Sequence, residues 1–207
     1  MKKLLLSLLL VFGLVTASLA ADAPKLDPEN TLYLDTFYGR VVIQMRPDWA
    51  PKHVARIKEL VRQGFYNGLV FHRVIPGFMA QTGDPTGTGM GGSGQNIPAE
   101  FNSTPFTRGI VGMARANDIN SADSQFFIMY EETPSLNGQY TAWGQVVSGM
   151  EYVDKIRKGE PPANPDKIIK LQVAADVPKA AEHLKGEDAP VPAPAAPVKA
   201  DDIPAKH

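Results

Sequence analysis

The sequence predicts a mainly β protein, either an antiparallel barrel or a sandwich. Eight short segments are rich in β-branched and aromatic residues, and turn-forming residues separate them at short intervals. Only two segments carry the 3.6-residue hydrophobic period of a helix. With 43% hydrophobic and 21% charged residues, the 207-residue chain has the composition of an ordinary globular protein with one domain core.

The first half of the predicted domain is a hairpin followed by a helix. Residues 31–37 and 40–45 are the hairpin strands, and Tyr38-Gly39 is the turn between them. The helix is predicted over residues 49–63, with a proline in its first turn and a glycine after its end. Its apolar side chains at helical spacing are Val54, Ile57, Leu60 and Val61.

The second half contains six further strands, a loop and one short helix. Residues 83–94 include six glycines, but they lack the lysine ending of a P-loop and no helix follows. We interpret them as a mobile loop rather than a phosphate site. The second helix is predicted over residues 149–158, with three apolar side chains on one side. The strands are predicted at residues 69–75, 78–82, 110–114, 124–130, 142–147 and 167–174.

The first 20 residues have the pattern of a signal peptide. Lys2 and Lys3 precede an apolar run over residues 4–15, and small residues lead to Ala20, after which we expect cleavage. The run is short for a membrane span, so a retained membrane anchor is the less favoured alternative. Removal of Lys2 and Lys3 leaves 19 basic and 22 acidic residues, a net charge of −3. We therefore expect an exported protein with no membrane attachment after cleavage.

The C-terminal residues 186–207 differ in composition from the rest of the chain. They contain five prolines and almost no bulky apolar side chains. Such a segment cannot bury enough surface to offset the entropy of ordering, which predicts a disordered Pro/Ala-rich tail. A polyproline segment that docks a partner is the alternative. The predicted domain itself covers residues 29–178.

Composition excludes several classes of function. The absence of cysteine excludes disulfides, a lipid-modified cysteine, thiol nucleophiles and thiolate metal sites. A net charge of −1 and few aromatics predict no surface for nucleic acid. The four histidines have no ligand spacing, so no metal site is predicted, and we interpret His72 as a satisfied interior histidine.

The run FHRVIPGFMAQTGD, residues 71–84, contains the candidate working residue. A single arginine, Arg73, lies there between two apolar segments that are joined by a Pro-Gly turn. Strand alternation predicts that His72 and Arg73 point to opposite faces. A lone arginine in an apolar strand indicates that its face meets solvent or a ligand.

Alternation in two further strands predicts a shared surface. Met79 and Gln81 fall on one face of their strand, with Phe78 on the other. Gln125 and Phe127 share a face in the same way. Arginine, amides and large apolar groups on one surface have the profile of a pocket with few polar groups. An ordinary half-exposed sheet face is consistent with the same periodicity.

These motifs together resemble one protein family. The run at residues 71–84, the glycine-rich loop and SQFFI at residues 124–128 closely resemble the cyclophilin family of peptidyl-prolyl cis-trans isomerases. The resemblance covers residues 31–174 and implies an eight-stranded antiparallel β-barrel closed by two α-helices. Spacing around residues 113–115 resembles bacterial members. With the signal peptide, the resemblance implies a periplasmic isomerase that assists the folding of exported proteins and needs no cofactor or metal.

The resemblance also implies roles for individual residues. Arg73 is the expected catalytic residue, and Gln81 is the amide that orients it and contacts substrate. Gln125 is a second polar contact to substrate. Arg115, where many relatives carry asparagine, marks a backbone contact to substrate. The expected pocket for the proline ring consists of Phe78, Met79, Phe127 and Leu136.

Two positions at the pocket rim differ from the familiar pattern. Ser135 stands where many eukaryotic members have tryptophan. Tyr140, also expected to contact substrate, stands where they have histidine. Without the indole, we expect cyclosporin binding to be weakened and the rim to be more open.

Three functional classes remain open at the level of sequence. The first is an isomerase that acts as a monomer on proline-containing polypeptide clients. The second is a binding or chaperone module that uses the same pocket without turnover. The third is an attachment role for the Pro/Ala-rich tail.

Overall fold

The computed structural model describes residues 25–178. The predicted signal peptide, residues 1–20, and the predicted tail, residues 186–207, lie outside the described residues. Within the described part, no helix has the length and apolar composition that a membrane span requires.

Eight antiparallel strands and two α-helices form the described domain, which confirms the predicted fold class. The strands lie in the sheet in the order β3-β4-β6-β5-β7-β2-β1-β8. Every predicted strand overlaps an observed one. The strands are β1 Thr31–Thr36, β2 Gly39–Met45, β3 Arg73–Ile75, β4 Met79–Thr82, β5 Ile110–Met113, β6 Phe126–Met129, β7 Ala142–Ser148 and β8 Lys170–Val173. The helices are α1 Pro51–Arg62 and α2 Met150–Val153.

The sheet curls, and irregular segments join its two ends. Strands β3 and β8 are the ends of the sheet order. The Phe71 N–H donates to the Asp166 carbonyl at 2.9 Å, and the Ile168 N–H donates to the Leu69 carbonyl at 2.9 Å. The chain before β3 and the chain before β8 therefore satisfy each other's backbone groups, which protects the sheet edges from other chains.

Two apolar clusters fill the interior. The larger one lies between the sheet and α1, where the inward residues of the hairpin alternate with half-buried ones. The wholly buried side chains of this hairpin include Leu32, Leu34, Val41 and Ile43. The smaller cluster consists of Met79, Phe106, Ile110, Phe127, Met129 and Ala142. Two members of this smaller cluster, Met79 and Phe127, line the candidate site.

A distant carboxylate caps helix α1. Ala50 precedes the helix and supplies no side-chain cap. Glu100 instead accepts the N–H groups of Lys52 and His53, each at 3.0 Å, and its Oε2 lies 2.7 Å from Nδ1 of the buried His53. A negative charge at this end of a helix also interacts favourably with the helix dipole. Glu100 thereby fixes α1 to the loop that precedes β5.

Helix α2 is shorter than the predicted helix over residues 149–158. After Asp154 the backbone hydrogen bonds span three residues instead of four. The Lys155 N–H donates to the Tyr152 carbonyl at 3.2 Å, and the Ile156 N–H donates to the Val153 carbonyl at 3.1 Å. The Lys158 amine then donates to backbone carbonyls at the helix end, which replaces further helical bonds. The predicted apolar side nevertheless faces inward, because Val153 and Ile156 are buried.

Replacing the Glu100 cap should destabilise the protein. We expect Glu100→Ala to lower the free energy of unfolding by about 1–3 kcal/mol, because two helix N–H groups and a buried imidazole lose their acceptor. Urea unfolding followed by circular dichroism measures this. Glu59→Ala, on the exposed face of α1, is the matched control and should change the free energy by less than about 0.5 kcal/mol. Equal losses in the two variants would contradict the capping role.

Candidate active site

A cavity of about 420 Å³ opens on one face of the β3-β4-β6-β5 part of the sheet. Eight of the nine residues expected from the sequence line it: Arg73, Phe78, Met79, Gln81, Arg115, Phe127, Leu136 and Tyr140. The ninth, Gln125, lines a neighbouring cavity of about 330 Å³, which also borders on Gln81 and Arg115. The structure therefore brings the predicted residues together in one region.

Strand register places the central residues side by side. Arg73 of β3 is opposite Gln81 of β4, and Gln81 is opposite Phe127 of β6. Directly paired residues in antiparallel strands point to the same face, so these three side chains form a row across three strands. Met79 is two residues from Gln81 on β4 and joins the same face.

A chain of amide contacts runs from the arginine to the glycine-rich loop. Nη1 of Arg73 lies 3.5 Å from Oε1 of Gln81. Nε2 of Gln81 donates to Oε1 of Gln125 at 2.8 Å, and Nε2 of Gln125 donates to the carbonyls of Gly89 and Gly91 at 3.0 and 2.8 Å. Gln81 is therefore fixed from the loop side, and its oxygen is oriented toward the guanidinium.

The floor of the pocket is apolar and closely packed. Phe127 is 5% exposed, with Phe106 at 5.7 Å and Tyr140 at 5.9 Å between ring centroids. Gly112 lies opposite Phe127 on β5, where a Cβ would come within 2.5 Å of the ring. Sequence reasoning missed Gly112, although a glycine inside a strand indicates a close approach.

Two carboxylates organise the glycine-rich loop, residues 83–94. Asp84 accepts hydrogen bonds from the N–H and hydroxyl of Thr86 at 2.7 and 2.8 Å, and from the Gly89 N–H at 2.6 Å. Asp123 accepts hydrogen bonds from the Ser93 hydroxyl and the Gly94 N–H. The loop lies beside the pocket as predicted, but these bonds give it a defined shape.

The environment of Asp84 favours its charged form. Burial raises the pKa of this carboxyl, but the hydrogen bonds from Thr86, Gly91 and Gly89 outweigh burial and lower it to about 2. Asp84 is therefore ionised at neutral pH and binds the loop as an anion.

Two expectations from strand alternation are wrong. Phe78 was expected on the face opposite Met79, and His72 on the face opposite Arg73, yet all four line the pocket. Both errors have one cause, because β3 begins at Arg73 and β4 begins at Met79, so Phe78 and His72 lie outside the alternating segments. His72 is interior and 5% exposed, and neither ring nitrogen has a partner at normal hydrogen-bond geometry among the described residues, although Gln125 and the Val70 backbone lie close enough to offset part of the lowering of its pKa by burial.

The rim is formed by Arg115, Tyr140 and a short 3-10 turn. The Arg115 guanidinium lies 4.6 Å from the centre of the Tyr140 ring and donates to the Gln139 carbonyl at 3.0 Å. Leu136 ends the 3-10 turn, and Ser135 beside it is exposed. Within residues 25–178, no group of three or more His, Asp or Glu side chains is arranged to hold a metal ion.

The two described histidines should make stability depend on pH. Burial lowers the pKa of His53 and of His72, and the charges of Glu100 and Asp84 offset only part of this. Because the folded pKa lies below the unfolded value of 6.5, the stabilisation is complete above about pH 6.5 and is lost as pH falls through the folded pKa. We expect urea unfolding to give a smaller free energy at about pH 5 than at about pH 7.5.

The comparison variant for this prediction is the double substitution His53→Gln and His72→Gln, which should flatten the pH dependence in that range. Asp84 contributes nothing to the change in stability between these two pH values, because the pKa of Asp84 is about 2. A wild-type stability that stays constant or increases on acidification would contradict the prediction.

Comparison with known proteins identifies the family. A family model described as cyclophilin type peptidyl-prolyl cis-trans isomerase/CLD matches residues 31–173. The chain is 56% identical over 171 residues to a probable peptidyl-prolyl cis-trans isomerase of Brucella suis, covering 74% of this chain and 87% of the relative. It is 43% identical over 124 residues to peptidyl-prolyl cis-trans isomerase B of Bacillus subtilis, covering 59% of this chain and 86% of that protein.

Solved structures agree with this match. A cyclophilin from Hirschia baltica superposes with a TM-score of 0.69 at 30% identity, covering 74% of this chain and 77% of that one. A second match is a Cryptosporidium parvum cyclophilin type peptidyl-prolyl cis-trans isomerase, crystallised in the presence of the dipeptide Ala-Pro. It has a TM-score of 0.65 at 32% identity, and the match covers 69% of this chain and 98% of that one. The chain belongs to the cyclophilin-type peptidyl-prolyl cis-trans isomerase family.

Proposed function

We propose that this enzyme accelerates rotation about Xaa-Pro peptide bonds in exported polypeptides, with Arg73 as the catalytic residue. The observation that carries the proposal is a guanidinium at the edge of an apolar pocket, in register with Gln81. The related Cryptosporidium parvum protein was crystallised with a dipeptide that ends in proline, which supports a proline-containing client here.

The reaction requires no nucleophile and no acid–base pair. Resonance gives the peptide bond a rotation barrier of about 18–20 kcal/mol. For an Xaa-Pro bond the uncatalysed exchange takes roughly tens to hundreds of seconds. In the twisted transition state the resonance is lost and the proline nitrogen becomes pyramidal with a free lone pair. A catalyst must therefore favour that twisted state over both planar ones.

Arg73 can donate a hydrogen bond to the lone pair of the twisted nitrogen. In the planar ground state the lone pair is delocalised, so the bond is specific to the transition state and lowers the barrier. A guanidinium suits this role because its planar fork donates in several directions and can contact Gln81 and the client together. At 41% exposure, the Arg73 side chain is accessible to a bound client.

The apolar residues would hold the proline ring while the preceding carbonyl turns. Met79 and Phe127 supply buried apolar surface, and the partly buried Phe78 and Leu136 pack against it in the same lining. Fixing the ring matters because rotation about the bond then moves one side of the substrate only. Phe127→Ala should therefore weaken client binding more than it slows the bound client.

Removal of the Arg73 guanidinium should abolish most of the catalysis. We expect Arg73→Ala to lower kcat/KM by roughly 10²–10³ with the fold retained, because a preorganised hydrogen-bond donor is lost. A protease-free isomerisation assay on an Xaa-Pro peptide measures the rate, and circular dichroism checks the fold. Arg62→Ala is the matched control, since Arg62 is 43% exposed and lies outside the pocket.

The control should keep the wild-type rate. An unchanged rate in a folded Arg73→Ala protein would contradict the catalytic assignment. A wild-type protein that binds proline peptides without accelerating their exchange would favour the binding or chaperone function instead.

We propose that cyclosporin binds weakly to this protein. Ser135 is exposed at the rim and offers a hydroxyl where an indole would add a large apolar contact. Ser135→Trp should therefore increase cyclosporin inhibition by at least about tenfold, corresponding to about 1.4 kcal/mol. Inhibition curves for the two proteins measure the difference. Tight inhibition of the wild type, with no gain from the tryptophan, would disprove the proposal.

We propose that the mature protein is a periplasmic monomer that acts on exported clients. The supporting pattern is the signal-peptide sequence of residues 1–20, with cleavage expected after Ala20. N-terminal sequencing of the protein from a cell fraction outside the cytoplasm should begin at Ala21, and sedimentation should give the monomer mass. Recovery of the full-length chain from the cytoplasm would contradict export.

A further inference from the structure

Glu160 places a carboxylate at the mouth of the pocket. Among the described residues that line it, the acidic and basic side chains other than His72 are Arg73, Arg115 and Glu160. Oε2 of Glu160 lies 3.7 Å from Nε of Arg73, and the two side chains are 49% and 41% exposed. The carboxylate is therefore close to the catalytic group and accessible to a bound client.

The backbone beside Glu160 is fixed to β3. The Val74 N–H donates to the Gly159 carbonyl at 2.8 Å, and the Gly159 N–H donates to the Val74 carbonyl at 2.9 Å. Gly159 has a φ of 151°, and a Cβ there would lie 2.6 Å from the Cα of Pro162, so the position requires glycine. Because Val74 follows Arg73 on the same strand, this pairing places the Glu160 carboxylate next to the arginine.

The charges on the rim are asymmetric. Arg115 follows β5 and donates to the Ala116 carbonyl at 2.9 Å. Glu160 lies beside β3, three strands away in the order β3-β4-β6-β5. Three strand spacings correspond to roughly 14 Å along the sheet. A client that crosses the pocket therefore meets Arg115 on the β5 side and the adjacent Arg73 and Glu160 on the β3 side, where Glu160 supplies the negative charge.

We propose that Glu160 is a specificity-determining residue that favours clients with a lysine or arginine close to the isomerised proline. The inference rests on the proposed function of Arg73. A proline nitrogen that accepts a hydrogen bond from Arg73 lies about 3 Å from the guanidinium. Because residues are spaced at about 3.3–3.6 Å in an extended chain, a client side chain one or two positions from the proline reaches the carboxylate.

Electrostatic complementarity determines the direction of the preference. A cationic client side chain gains a partner in Glu160, whereas an acidic one meets a like charge at the same place. The effect should be modest because the carboxylate is half exposed and already close to Arg73. A residue that only positioned Arg73 would change the rate for all clients alike, so the ratio between clients distinguishes the two roles.

The test uses the mature protein and short Xaa-Pro peptides that differ in one residue. Lysine, glutamine or glutamate is placed immediately before the proline in one series and immediately after it in the other. The variants are Glu160→Gln and the matched control Glu132→Gln, which removes an exposed carboxylate outside the pocket lining. We measure kcat/KM for each peptide by a protease-free exchange assay, at low salt and at about 0.5 M salt.

We expect the wild type to prefer lysine over glutamate in at least one series, with Glu160→Gln reducing that ratio about two- to fivefold. The Glu132→Gln protein should keep the wild-type ratio, and high salt should reduce it. An unchanged ratio in Glu160→Gln, or an equal loss for all three peptides, would overturn the inference while leaving the isomerase assignment intact. A wild-type protein inactive on every peptide would overturn the proposed function itself.

Discussion

The candidate site depends on one cross-strand register, which sets Arg73 opposite Gln81 and Gln81 opposite Phe127. Side chains alternate faces along a strand, so a slip of one residue would turn the amide or the ring floor away from the arginine. The tight Pro-Gly turn between β3 and β4 fixes this register at one end, where the Phe78 N–H donates to the Ile75 carbonyl at 3.1 Å. The arrangement is therefore a property of the sheet, and the loop contacts through Gln125 reinforce it.

Within this register, the chemistry of the site depends on a charged group that is already in position before the substrate reacts. A guanidinium at the edge of an apolar floor can stabilise a twisted amide without proton transfer, because the interaction develops only as the nitrogen becomes pyramidal. The loop carboxylate of Asp84 and the mouth carboxylate of Glu160 act on different parts of the same site. Asp84 shapes the loop to which Gln125 binds, and Glu160 carries the negative charge that we propose selects clients.

Local sequence patterns predicted most of the fold, because strand and helix periods depend on neighbouring residues. They could not predict contacts between residues far apart, such as the capping of α1 by Glu100, 48 residues from Lys52, or the Gly94 bond to Asp123. Periodicity alone placed Gln81 and Met79 on one face but did not distinguish a binding pocket from an ordinary sheet face. The roles of the individual site residues came from the family resemblance. Periodicity failed for Phe78, because a sequence pattern predicts that a strand exists more reliably than it predicts the residue at which the strand begins.

The most direct measurement of the central claim is a double-mutant cycle on kcat/KM with Arg73→Ala, Gln81→Ala and the combined variant. If Gln81 acts by orienting Arg73, its removal should cost little once the guanidinium is absent, so the combined loss should fall well short of the product of the single losses. Losses that multiply, in proteins shown to be folded, would mean that the two side chains act independently and would contradict the account.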